Sequence, residues 1–120
     1  MPYKVTGIYI SGKVTGDPDN RDKFLEAENK LSNAGYVALN PTAIIKSNCE
    51  WKEAMRTAIS LMLKGDGVAT LKDWRDSKGA KIEVKIARML GIPVKRIDTW
   101  LKEKPEHPDR RPVHHAGEAL

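Results

Sequence analysis

The sequence predicts a small α/β domain built around a parallel sheet. Short apolar segments rich in β-branched residues alternate with amphipathic segments of helical period through most of the chain. The connections between these segments are short, which favours right-handed crossovers between parallel strands. At 120 residues the chain has room for one hydrophobic core. The expected architecture is a three-layer, flavodoxin-like or Rossmann-like domain with four to five parallel strands.

The first half of the chain supplies two of the predicted strands. The first spans residues 4–10 and ends in a loop of small and polar residues. A helix follows, with Asp17 as its N-cap, Pro18 as its first residue and Gly35 just beyond its end. The second predicted strand covers residues 36–40 and stops at a proline.

The second half repeats this alternation. A helix is predicted over residues 51–64, where apolar residues recur at helical spacing. The third strand covers 66–71, and a helix over 78–90 ends at Gly91. The fourth strand covers residues 92–97. We therefore expect one folded domain, residues 1–101.

Three loops are expected to form the functional site, because ligands of open parallel sheets bind at the carboxyl ends of the strands. These loops are residues 11–17, 41–49 and 72–78. Residues 102–120 are rich in proline, histidine and charge and are interpreted as a polar tail. The tail's His114 and His115 lack a third ligand at suitable spacing, so no metal site is expected.

Composition narrows the class of partner. The net charge of +5 suits a phosphate-bearing partner, either a small nucleotide or a nucleic acid. The basic residues are dispersed without interleaved aromatics, which does not favour nucleic acid. No apolar segment is long enough for a membrane span and no signal peptide is recognised, so a cytoplasmic protein without membrane contact is expected. The lone Cys49 agrees with a reducing compartment.

Glu83 lies on the apolar side of the helix predicted over residues 78–90. At about 100° per residue its nearest neighbours are Ala80, Ile86 and Ala87, and no basic residue of that helix faces it. Burying a carboxylate is costly unless it is paired or lines a cleft. Two interpretations remain open: a glutamate that pairs with a donor from another element, or a carboxylate that lines a ligand cleft.

The start of the same helix is suited to binding an anion. A helical side chain points back toward the N-terminus, so the Glu83 carboxylate should approach Ser77 and Gly79. The free N–H groups there favour phosphate, and the small residues allow a ligand to approach the backbone. Plain N-capping is the alternative role for Ser77.

Three segments together resemble a known family: IYISGKVTG after the first strand, GYVALNP at the second, and DGVATLKDWRDSKGAKIEVKIARMLGIPV. They resemble the nucleoside 2-deoxyribosyltransferase-like superfamily and, within it, the small DUF4406 branch. The resemblance covers about residues 4–97, and its most specific piece is SKGAKIE. The resemblance implies that this protein is an enzyme that needs no cofactor and that it assembles into a homo-oligomer.

The resemblance also implies roles for individual residues. Glu83 matches the nucleophilic glutamate, and Tyr9 matches the tyrosine that orients it. Asp66 and Asp73 fall near the acids that contact the sugar or the leaving base, and Asp76 is a further candidate for the acid.

Phosphate contacts are implied for two other positions. Ser77 has the spacing of the serine that contacts a 5′-phosphate in the nucleotide-hydrolysing branch. Where that branch has an arginine in its first loop, this chain has Thr15, and Lys13 is the replacement charge. Ser11, Gly12 and Lys13 are accordingly expected to contact substrate, unless the loop is only a connecting turn.

The predicted function is cleavage or transfer of an N-glycosidic bond in a (deoxy)nucleoside or nucleoside monophosphate, with Glu83 as nucleophile. The alternative is a non-catalytic module that binds a nucleotide in the same cleft. Trp74 is predicted either to stack on a base or to anchor its loop, whereas Trp51 and Trp100 are assigned to the core or to a dimer contact. The helix at 51–64 and the segment IDTWLKEK are expected to form the oligomer surface.

Overall fold

A computed structural model describes residues 6–105 of the chain, which contain a four-stranded sheet. All strand pairings are parallel and the spatial order is β2-β1-β3-β4. The strands are β1 (Gly7–Ser11), β2 (Val37–Leu39), β3 (Gly67–Thr70) and β4 (Val94–Arg96). The predicted small α/β domain of flavodoxin-like or Rossmann-like type is confirmed, with four strands in the part of the chain that the structure describes.

Helices cover both faces of this sheet. They are α1 (Asn20–Asn33), α2 (Trp51–Met62), α3 (Lys78–Met89) and α4 (Ile97–Glu103), with short 3₁₀ turns at Pro41–Ala43 and Trp74–Asp76. Helices α1 and α4 share one hydrophobic cluster, and α2 and α3 share the other. The sheet between them gives three layers, as the alternating pattern predicted.

The central strand β1 divides its side chains between the two clusters. Ile8 and Ile10 are fully buried against α1 and α4, whereas Tyr9 packs with the cluster of α2 and α3. This division follows from the two-residue period of a strand. The parallel register places Ser11 beside Thr70, so the carboxyl ends of β1 and β3 finish at the same edge.

Helix α1 begins later than predicted. It starts at Asn20, and Asp19 occupies the N-cap position without a side-chain capping bond. Asp17 instead accepts a hydrogen bond from the Asp19 backbone N–H at 3.0 Å and pairs with Lys23. The assignment of Asp17 as N-cap and Pro18 as first helical residue was therefore wrong. Residues 17–20 form a turn in which the Asn20 N–H donates to the Asp17 carbonyl at 3.2 Å, and the helical hydrogen bonds begin only with the Lys23 N–H donating to the Asp19 carbonyl at 3.1 Å.

Helix α4 was not predicted as a helix. Its apolar residues Ile97, Trp100 and Leu101 follow helical spacing and pack on the α1 side of the sheet. The Trp100 indole N–H donates to the Val68 carbonyl at 2.8 Å, and its ring lies close against Gly67. Of the tail predicted over 102–120, only residues 102–105 are described; His114 and His115 lie outside the described residues.

None of the helices within residues 6–105 combines the length and the apolar character that crossing a membrane requires.

Candidate active site

The carboxylate of Glu83 is held by two hydroxyl groups of β1. The Tyr9 hydroxyl donates to Oε2 at 3.0 Å, and the Ser11 hydroxyl donates to Oε1 at 2.8 Å. Tyr9 and Ser11 reach the same carboxylate because alternate residues of a strand point to the same face. Glu83 is only 6% exposed, as its place on the apolar side of α3 predicted. Within residues 6–105, no ion pair involves Glu83.

Burial governs the protonation of this carboxyl group. Desolvation raises the pKa of Glu83 from an ordinary 4.5 to about 7, although the hydrogen bonds from Ser11 and Tyr9 oppose the rise. Burial and the neighbouring Glu83 charge hold the pKa of Tyr9 well above its usual range. Tyr9 therefore remains a hydrogen-bond donor, while Glu83 has substantial populations of both protonation states near neutral pH.

Glu83 and Tyr9 line a cavity of about 1050 Å³ at the carboxyl ends of the strands. All three loops selected by the carboxyl-end rule contribute to its wall, through residues such as Thr15, Ser47 and Ser77. Helix α2 supplies the opposite side. This volume lies at the upper end of the range for small-molecule sites.

The start of α3 forms one end of the cavity. Ser77 is the N-cap, and its hydroxyl accepts a hydrogen bond from the Ala80 backbone N–H at 3.0 Å. The Lys78 ammonium lies 4.7 Å from the centre of the Trp51 ring, a cation–π contact. Gly79 faces Met55 of α2, whose sulfur would lie 3.0 Å from an added Cβ. The predicted capping role of Ser77 is confirmed, and Ser77, Gly79 and Asp76 all line the cavity.

Five of the predicted site residues are absent from the cavity wall: Ser11, which contacts Glu83 directly, and Lys13, Asp66, Asp73 and Trp74. Asp66 precedes β3, at the amino end of the sheet, and accepts a hydrogen bond from the Gly7 backbone N–H at 2.8 Å. Trp74 lines a separate cavity of about 360 Å³ and has Arg75 and Arg88 near its ring. Asp73 does not line the main cavity. The structure therefore does not bring Asp66, Asp73 or Trp74 into the cavity with Glu83.

Both carboxylate oxygens of Asp73 already have partners, in the first loop and in α1. One carboxylate oxygen accepts the Lys13 backbone N–H at 3.0 Å, and the other pairs with the Lys23 ammonium. Lys13 is half-buried and is absent from the cavity wall, unlike its neighbour Gly12. Gly12 is required by close packing, because an added Cβ would lie 2.8 Å from a methyl carbon of Leu71.

The cavity wall also contains residues that the sequence analysis did not assign to it. Arg21, in the first turn of α1, donates to the backbone carbonyls of Thr42 and Ile45 at 2.6 and 3.0 Å. Trp51 and Met55 belong to the first turns of α2. Helices that follow parallel strands begin at the carboxyl edge of the sheet, so this topology could have predicted a role for their first turns.

Within the described residues, no three histidine, cysteine, aspartate or glutamate side chains are grouped to hold a metal ion. Cys49 is partly exposed in the cavity wall. The charged groups in the cavity wall are the buried carboxylate of Glu83, which two hydroxyls hold, the carboxylates of Asp17 and Asp76, and the cationic side chains of Arg21, Lys46 and Lys78.

These features define a parallel α/β domain with a carboxylate-based cleft at the carboxyl ends of its strands. More specifically, the chain belongs to the DUF4406 family, whose model, described as a domain of unknown function, matches residues 6–96. No curated protein matches the chain.

Proposed function

We propose that the protein cleaves or transfers the N-glycosidic bond of a (deoxy)nucleoside or nucleoside monophosphate, with Glu83 as nucleophile. One observation carries the proposal: Glu83 is buried beside a large cavity, and its only described hydrogen-bond donors are two hydroxyls. Each carboxylate oxygen accepts one described hydrogen bond, which leaves lone pairs for a ligand or for attack. The resemblance of SKGAKIE to the nucleoside 2-deoxyribosyltransferase-like superfamily supports the same assignment.

The reaction would proceed in two displacements, as in retaining glycosidases. In the first, an oxygen of ionised Glu83 bonds to C1′ while the C1′–N bond breaks, and the base leaves with the bonding electron pair and takes up a proton. In the second, water or another base bonds to C1′ and gives up a proton to the group that protonated the first base, while the Glu83–C1′ bond breaks and restores the carboxylate. Water gives hydrolysis and a second base gives transfer.

Asp76 is the better candidate for the acid that protonates the leaving base. It lines the cavity, whereas Asp73 uses one oxygen for Lys13 and the other for Lys23. A general acid must be within hydrogen-bond reach of the leaving group, and Asp76 is the aspartate nearest the start of α3. We therefore assign this role to Asp76 instead of Asp73.

The cationic side chains of the cavity wall favour an anionic substrate. The cavity wall includes three cationic side chains, those of Arg21, Lys46 and Lys78. The start of α3, which Ser77 caps, adds backbone N–H groups that can bind an anion. Trp51 offers an apolar ring beside them. A nucleoside monophosphate would match this combination of an aromatic surface, cations and a carboxylate.

The deciding experiment incubates the protein with a panel of deoxynucleosides and deoxynucleoside monophosphates and separates free base by chromatography. Wild type should release base, and Glu83→Gln should abolish release because an amide oxygen is a far weaker nucleophile than a carboxylate. Glu26→Gln, on the exposed face of α1, should retain the wild-type rate. Addition of a second base should reveal transfer as a new nucleoside.

If wild type binds the nucleotides and releases no base, the catalytic proposal is wrong and the non-catalytic binding module replaces it. Binding is measured separately, by calorimetric titration with each monophosphate. In that case Glu83→Gln should change affinity only slightly, because a binder needs no nucleophile.

Self-association is a separate proposal. Leu63 is 50% exposed at the end of α2, and Ile59 on the same helix is half-buried. A second copy would cover this apolar surface. Light scattering should give a mass above the 13.4 kDa of one chain at micromolar concentration, and a monomer would refute the proposal.

A further inference from the structure

The Lys23 ammonium group donates all three of its N–H groups. Its nitrogen lies 2.8 Å from the Lys13 carbonyl oxygen and 2.5 Å from carboxylate oxygens of Asp17 and Asp73. A lysine has three donors and no acceptor, so these bonds use its entire hydrogen-bonding capacity. The three acceptors belong to the first loop and to the loop after β3, whereas Lys23 itself belongs to α1.

The same group of residues fixes both backbone polar atoms of Lys13. Its carbonyl accepts from Lys23, and its N–H donates to Asp73. The loop continues into a turn in which the Asp17 N–H donates to the Val14 carbonyl at 3.1 Å. Gly16 has φ +81° in this turn, a conformation that suits glycine. Residues 14–16 thus lie between two residues that are held in place, Lys13 by Lys23 and Asp73, and Asp17 by Lys23.

Residues 14–16 line the same cavity as Glu83. Val14, Thr15 and Gly16 are exposed, and all three belong to its wall. The contacts of Lys23 and Asp73 therefore fix both ends of this part of the wall.

We propose that Lys23 is a positioning residue, which holds residues 14–16 in place as part of the cavity wall and thereby orients the substrate against Glu83. The orienting role rests on the proposed function, whereas the attachment of the loop does not. Lys23 does not line the cavity, so it acts on a ligand only through the loop.

The ammonium charge of Lys23 neutralises two neighbouring carboxylates, those of Asp17 and Asp73. The two carboxylate oxygens lie 2.5 Å from one nitrogen, so they are within about 5 Å of each other, where like charges repel. Partial burial alone would lower the pKa of Lys23, but the hydrogen bonds to Asp17 and Asp73 outweigh it and hold the pKa above its ordinary value. Loss of the ammonium would both remove the attachment and leave two adjacent carboxylates unneutralised.

The test compares Lys23→Met with Lys23→Arg and with the control Lys30→Met, an exposed lysine of the same helix paired with Glu26. Backbone hydrogen exchange is followed by NMR for the N–H groups of Lys13 and Asp17. Lys23→Met should accelerate their exchange about tenfold or more, while the buried α1 residues Ala27 and Leu31 keep wild-type rates. Lys23→Arg should restore most of the protection, and Lys30→Met should leave it unchanged.

The base-release assay supplies the second readout. Lys23→Met should raise KM about tenfold and change kcat much less, because the loop orients the ligand while Glu83 and its donors remain intact. Unchanged exchange at Lys13 and Asp17, or equal acceleration throughout α1, would overturn the positioning role. If wild type releases no base, the proposed function fails, and the exchange comparison still decides whether Lys23 holds the loop.

Should Lys23→Met fail to fold, Asp73→Asn provides the same comparison. It removes one of the two charges that Lys23 binds and leaves Asp17 in place. Because the Lys13 N–H itself donates to Asp73, the readout in this variant is the Asp17 N–H, which donates to the Val14 carbonyl. We expect a smaller acceleration there than in Lys23→Met, and wild-type exchange at Asp17 would contradict the proposal.

Discussion

Replacing Glu83 by glutamine should stabilise the protein at alkaline pH and leave its stability at acidic pH nearly unchanged. Glutamine keeps the size of the side chain and removes its charge. Its amide oxygen can accept from one hydroxyl, and its amide nitrogen can donate to the other, because both Tyr9 and Ser11 carry hydroxyls that also accept. The two hydrogen bonds can therefore persist without a buried charge.

The size and sign of this effect follow from the pKa of Glu83. Its value in the folded protein, about 7, lies above its ordinary value of 4.5, so between these limits the folded state binds more protons than the unfolded state. The stability of wild type should therefore fall as pH rises from 4.5 to about 7 and then level off. At about 1.4 kcal/mol per pH unit, the total loss is about 3 kcal/mol.

The assay is urea unfolding of wild type and Glu83→Gln at intervals from pH 4.5 to 8.5. Other groups that titrate in this range are the same in both proteins, so the difference between the two free energies of unfolding isolates Glu83. That difference should grow by about 3 kcal/mol in favour of the variant from the acidic to the alkaline end. Glu26→Gln, a change at an exposed glutamate, should show no such pH dependence.

A difference that stays constant across this pH range would refute the reasoning. It would mean that Glu83 ionises in the folded protein as easily as in the unfolded chain, and therefore that solvent or an ionic partner compensates its burial. The base-release profile gives a second check, because activity that needs ionised Glu83 should rise as pH increases through about 7.

Substitutions at Tyr9, Ser77 and Gly67 test three further features, with Gly7→Ala as the control for the last. Tyr9→Phe removes a donor to the carboxylate, so it should raise the pKa of Glu83 further and move the acidic limb of the base-release profile to higher pH. Ser77→Ala should lower the free energy of unfolding in urea by about 1 kcal/mol, because the helix loses its cap. It should also weaken the binding of nucleoside monophosphates more than the binding of nucleosides. Equal weakening of both would exclude a contact between Ser77 and the phosphate. Gly67→Ala should lower the free energy of unfolding by about 1–3 kcal/mol in the same assay, because the added Cβ would lie 2.5 Å from an indole carbon of Trp100 in α4. The control Gly7→Ala should lower it less, because the nearest heavy atom to its Cβ would be 3.7 Å away.

Periodicity alone could place Glu83 on the buried side of its helix, because a helix distributes its residues by a fixed angle. It could not show that the carboxylate is held by hydroxyls and not by a cation. That depends on which side chains of β1 meet the face of α3 that packs on the sheet. The tyrosine contact was suggested only by family resemblance, and Ser11 had been expected to contact substrate instead.

The misplaced acids have different physical causes. Asp66 stands before its strand, so the carboxyl-end rule itself argues against it. Asp73 follows the same strand and satisfies that rule, but a lysine 50 residues earlier in the chain occupies its carboxylate. Such a pairing depends on the distance between α1 and a loop, which no local pattern encodes. Helix α4 was missed for a simpler reason, since its short apolar pattern adjoins a strongly polar segment.

The hydroxyls that hold Glu83 lie 74 and 72 positions away from it along the chain. Contacts of such long sequence separation require closure of a large loop, so they are slow to form and dominate the folding time of parallel sheets. A fragment that contains α3 without β1 would lack both donors. The Tyr9–Glu83 contact should therefore form only when the sheet has assembled, and the ring environment of Tyr9 can report in stopped-flow experiments when refolding is complete.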